Sequence, residues 1–144
     1  MTNSTFLYKK VDNTYILRLK KGEEILSSLK SFCTSQNIGC ATISGIGFAE
    51  NITVGCFDLK NKKYEEINFK NAYEITSLNG NISYIENDMY VHLHINFADS
   101  DAKIYGGHLL NATIALTGEI FIQEIPIKMT RKFDKDLGIK VFDI

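Results

Sequence analysis

The stretch Val91-His92-Leu93-His94-Ile95-Asn96-Phe97-Ala98-Asp99-Ser100-Asp101-Ala102-Lys103-Ile104-Tyr105-Gly106-Gly107-His108 holds all three histidines of the 144-residue chain and reads as a β-hairpin. Side chains alternate across a strand, so His92 and His94 share one face, roughly 7 Å apart along the backbone, while Val91, Leu93 and Ile95 take the other. Asp99 to Ala102 is turn chemistry, because Asp and Ser hydrogen-bond their own backbone. A hairpin with an odd number of loop residues sets His108 opposite His92 or His94 on that same face; an even loop turns it away.

Outward from the hairpin the chain is mostly strand. Tyr15, Leu17 and Leu19 alternate with Ile16, Arg18 and Lys20, and Gly22 ends that run. Glu23 to about Gln36 carries Ile25, Leu26, Leu29, Phe32 and Cys33 at helical spacing, with Glu23 and Glu24 placed where the helix dipole favours anions. Asn37 and Gly39 are stop residues that tolerate the left-handed conformation. Further strands are expected near Cys40 to Ser44, Asn51 to Leu59, Tyr64 to Phe69, Tyr73 to Asn79, Asn81 to Glu86, Tyr90 to Ala98, Lys103 to Leu110, Thr113 to Gln123 and Ile127 to Phe133, with hairpin turns at Asn61-Lys62 and Asp99 to Ala102. One amphipathic helix against a mostly antiparallel sheet is an α+β layer arrangement, whose sheet edges need covering.

Lys+Arg 16 against Asp+Glu 17 leaves a net charge of -1, so net charge gives no help to binding a phosphate backbone. The cysteines, Cys33, Cys40 and Cys56, are odd in number and lack Cys-x-x-Cys spacing, which argues against a disulfide framework and a thiolate metal site. The N-terminus has no apolar leader core and no run reaches a membrane span, so the expectation is a reduced, cytoplasmic protein. Gly45-Ile46-Gly47 has neither the third glycine nor the helix of a nucleotide-binding loop and reads as a turn.

Three neutral imidazoles on one face of a rigid hairpin are the ligand set of an open tetrahedral zinc site, and imidazole also suits nickel, copper and iron. The plainer alternative makes His92 and His94 polar residues of a wet strand face and His108 an unrelated loop residue. Gly106-Gly107 permits a close backbone approach or a bulge that re-aims His108, or else simply weakens the strand. Asp99 and Asp101 could accept from imidazole N–H groups, although turn chemistry alone explains them. In a small zinc-dependent hydrolase or lyase, Glu119 or an aspartate near Asp99 would be the general base. His-x-His also occurs in cupin-like metalloenzymes, but these want a Glu a few residues later, where Ala98 and Asp99 stand.

Leu17-Arg18-Leu19 with Gly22-Glu23-Glu24, Ser44-Gly45-Ile46-Gly47, Leu78-Asn79-Gly80-Asn81-Ile82-Ser83, His92-Leu93-His94, Gly106-Gly107-His108-Leu109 and Thr117-Gly118-Glu119 together resemble the PPC domain, conserved in plants and prokaryotes. The resemblance runs from about Phe6 to Phe133, within a single domain over residues 1–144 whose last eleven residues, 134–144, are read as a tail. It implies an α/β fold that assembles as a homotrimer, and three motif histidines that hold zinc in some members, carried over here as His92, His94 and His108. It also implies a DNA-binding or regulatory label. In the plant relatives an Arg-Gly-Arg-Pro hook contacts DNA, and this chain has only Arg18, Arg131 and Pro126, so that element has no counterpart.

Overall fold

The computed structural model describes residues 6–144. Nine strands and one helix follow in the order β1 (Leu7–Val11), β2 (Thr14–Lys20), α1 (Ile25–Ser35), β3 (Ala41–Asp58), β4 (Lys63–Phe69), β5 (Tyr73–Ile85), β6 (Asp88–Ala98), β7 (Ile104–Glu124), β8 (Arg131–Asp134) and β9 (Ile139–Phe142). All named strand pairings are antiparallel. The mostly antiparallel sheet with one helix therefore stands as expected.

Seven strands form one sheet in the order β1-β2-β7-β6-β5-β3-β4, and β7 also pairs with β3. That extra pairing closes β3, β5, β6 and β7 on themselves, although β6 meets β7 only from His94 to Ala98. Leu17, Ile43, Leu78, Leu93, Ile95, Ile114 and Ile120 fill the inner side. In β2 the period-2 pattern works as read, with Tyr15, Leu17 and Leu19 buried and Ile16, Arg18 and Lys20 exposed.

α1 begins two residues later than its periodicity suggests. Glu24 is the N-cap rather than a first-turn anion, its carboxylate accepting from Leu26 N–H at 3.0 Å and Ser27 N–H at 2.7 Å. The same carboxylate takes a longer contact, 3.4 Å, from Ala112 N–H of β7 and so pins the helix start to the sheet. Asn37 closes the far end at φ 56, while Gly39 serves a close approach to the Ile127 carbonyl instead. The helix buries Ile25, Leu29, Phe32 and Cys33, each worth about 2 kcal/mol when removed from water. Glu24→Ala is expected to lower unfolding stability by about 1 kcal/mol in a urea titration, since two end N–H groups lose their acceptor; an unchanged midpoint would contradict that role.

Four strand and turn expectations are corrected. Gly45-Ile46-Gly47 is no turn but lies inside β3, where the register shifts between Gly45 and Gly47 and bends the strand. Tyr73 to Asn79 and Asn81 to Glu86 are one strand, β5, running through Gly80, and Lys103 to Leu110 and Thr113 to Gln123 are one strand, β7. Ile127 to Met129 is not strand: Pro126 supplies no N–H, Ile127 N–H closes a tight turn onto Ile125 O at 2.7 Å, and Met129 N–H donates to Gly39 O at 3.2 Å. Beyond Phe133 the chain turns at Gly138 (φ 73) and returns as β9, paired with β8.

The three cysteines are free. Burial pushes the Cys33 thiol up to about 12 and raises Cys40 as well, whereas Cys56 is exposed on β3. Iodoacetamide at about pH 8 is expected to spare Cys33 in the native protein and to label it once denatured, because only the thiolate attacks. Native-state labelling of Cys33, read by peptide mass, would overturn this.

Candidate metal centre

The β6–β7 loop runs from Asp99 to Lys103, an odd count, and the register sets His94 directly opposite His108. Asp99 builds that loop, accepting from Asp101 N–H and Lys103 N–H at 3.0 Å each and from the Tyr105 hydroxyl at 3.2 Å. Turn chemistry thus explains Asp99. Gly106 and Gly107 hold β7 close to its neighbours: a Cβ on Gly106 would strike the Asn96 side chain and the Ile95 carbonyl, and one on Gly107 would meet Gly55 O and Val54 at 3.1 Å.

The three imidazoles converge. Ring centroids are 5.3 Å apart for His92 and His94, 5.0 Å for His92 and His108, and 5.4 Å for His94 and His108. One ring nitrogen from each lies within 4.8 Å of the others. His94 is exposed, His92 half-buried and His108 buried, with the Tyr64 ring 5.0 Å from the His108 ring. Burial first, then the His108, Arg131 and His94 charges, lowers His92 to about 4; burial, then His94, lowers His108. Both are therefore neutral at pH 7, the form that ligates a metal.

His108 Nδ1 is buried with no hydrogen-bond partner among the described residues. An orphaned buried imidazole nitrogen costs about 1–3 kcal/mol unless something satisfies it. Three convergent imidazoles, one of them carrying such an atom, fit a transition metal in donor type and number.

Sequence reasoning missed Arg131. From β8 its Nε donates to Ser83 Oγ at 2.8 Å, Nη1 to Lys140 O at 3.2 Å, and Nη2 to Asn81 Oδ1 at 3.1 Å, with His92 Nδ1 3.2 Å from the same Nη2. Its guanidinium stacks 4.5 Å from the Phe142 ring and 5.1 Å from Tyr90. A guanidinium only donates, so His92 Nδ1 accepts and the neutral ring carries its proton on Nε2. Ligation through either nitrogen then displaces the Arg131 bond. The available signal was Tyr90 two residues before His92, which the period of two places on one face. Glu119 stays apart: it is exposed on β7, and β3 and β5 intervene before His94, a path of three strand spacings or roughly 14 Å.

Residues 7–126 match the Plants and Prokaryotes Conserved (PCC) domain, five-sixths of the chain. The chain belongs to the PCC family. Among solved structures this PCC chain is similar to a candidate DNA-binding protein from Bacteroides thetaiotaomicron, with 34% identity, TM-score 0.93, and 97% of this chain and 98% of that chain covered. It is similar to a plant- and prokaryote-conserved (PPC) protein of Pyrococcus horikoshii, with 34% identity, TM-score 0.85, and 100% and 98% covered. A metal-containing protein from Archaeoglobus fulgidus shares 28% identity at TM-score 0.86, over 96% and 98% of the two chains. No curated protein matches the chain. No helix among the described residues is long and apolar enough to cross a membrane.

Proposed function

We propose that this chain is a cytoplasmic, single-domain PCC module that assembles as a homotrimer, holds zinc on His92, His94 and His108, and acts in a DNA-associated regulatory role rather than as a catalyst. The observation that carries the metal is the convergence of three imidazoles, with the buried His108 Nδ1 left without a hydrogen-bond partner among the described residues. The ion would supply Lewis acidity at a site open on the exposed His94 side. Untagged protein is expected to retain stoichiometric zinc by elemental analysis; substoichiometric metal that does not fall further in a His92→Ala, His94→Ala double variant sinks the site.

Support for the trimer comes from apolar side chains left on the outer sheet face, among them Ile46, Leu116 and Phe121, exposed at 53%, 68% and 48%. Light scattering is expected to give three times the 16.3 kDa chain mass. A monomer mass at all concentrations contradicts it. For DNA the support is the description of the Bacteroides relative. Arg131 is committed to internal contacts, which leaves Arg18 and lysines to meet phosphates. Any binding to an AT-rich duplex, followed by anisotropy, should therefore vanish at high salt, and absence at low salt removes the DNA role.

The second reading, a small zinc-dependent hydrolase or lyase, is favoured by a cavity of about 610 Å³ bordering His92. No carboxylate lines it, so the general base such chemistry wants is missing from its walls.

A further inference from the structure

The cavity beside His92 has a chemical character of its own. Arg131 and Lys140 are its cations, Tyr64, Tyr90 and Phe142 its aromatic walls, and neither Asp nor Glu borders it. The two ion pairs among the described residues lie elsewhere, so Arg131 has no counter-anion although its guanidinium is half-buried between two rings. Of its five N–H groups four have partners, leaving one on Nη1. Ligation of a metal by His92 frees a second, on Nη2, because His92 Nδ1 then no longer accepts from it.

We infer that this cavity binds a small organic carboxylate with an apolar or aromatic body, its anionic group taken by Arg131 and Lys140 and its body held between the aromatic walls. The inference deepens the metal reading and rests on it for the second freed N–H. A half-buried guanidinium without a carboxylate partner favours a charge-assisted bond to an incoming anion. Inorganic phosphate is the poorer fit, because it wants a cluster of backbone N–H donors and the lining includes neither glycine nor a helix N-terminus. At about 610 Å³ the space suits a small molecule rather than a peptide.

Calorimetric titration of zinc-loaded and chelator-treated protein with benzoate and lactate, and with benzamide and lactamide as neutral counterparts, tests this directly. Saturable binding of at least one acid is expected, with its amide weaker by about tenfold or more, as a lost charge-assisted bond implies. Arg131→Lys should weaken the acid about tenfold, and Lys140→Gln, at an exposed position, by several fold with the fold intact. Acid binding that survives chelation, or that occurs in protein holding no zinc, supports the cavity while separating its fate from that of the metal reading. Zinc-loaded protein that binds neither acid, binds amides as well as acids, or binds phosphate in their place overturns the proposal.

Discussion

Zinc at a hundred times its dissociation constant is expected to raise the thermal midpoint by roughly 8 °C, since binding only the native state contributes about 2.7 kcal/mol at that excess. His108→Leu should abolish this response, and it should do so with an unusual signature. In chelator-treated protein the variant should be about 1 kcal/mol more stable than wild type, because a buried nitrogen without a partner is replaced by an apolar group. His94→Ala, at an exposed position, should lose the zinc response and leave metal-free stability unchanged within about 0.5 kcal/mol. Calorimetric melting of the three proteins with and without zinc reads all of these. A His108→Leu protein that still responds to zinc, or is markedly weaker without it, would show that His108 is an ordinary core residue.

The legible parts of the fold are those whose information is local. β2, α1 and the β6–β7 hairpin each carry one period on one half-buried face, so Leu17, Leu29 and Leu93 announce their burial by spacing alone. The parity of the Asp99 to Lys103 loop then settled where His108 points. What misled was glycine inside strands. Gly45, Gly47 and Gly80 read as breaks because glycine usually punctuates, yet here each sits where a neighbouring chain passes too close for a Cβ. Barrel closure was illegible for a related reason, since the β3–β7 ladder joins residues as far apart as Ala41 and Glu124. Separation along the chain also hid Arg131, which comes back to His92 across 39 positions. β9 has only four residues, too few for any period to declare itself, although Phe142 on it packs against the guanidinium.

The substitution with the largest expected effect on stability is Gly80→Ala. A Cβ built there overlaps the His92 carbonyl oxygen and approaches Leu93 Cδ2 at 2.8 Å. The obstacle is mainly backbone, which cannot swing aside as a side-chain tip can, so the β5–β6 ladder must part. Gly80 pairs with Leu93, between His92 and His94, and both flanking strands belong to the closed barrel, where a shift on one edge is resisted by the other. A loss of more than about 3 kcal/mol is expected from urea denaturation. Gly22→Ala is the control: its φ of +88 strains any Cβ, yet nothing lies within 4 Å, so about 1 kcal/mol is expected there. If the two variants lose equal stability, steric exclusion at Gly80 is not what holds β6 in place. If Gly80→Ala folds with wild-type stability and binds zinc normally, the tight β5–β6 approach is dispensable to the histidine cluster.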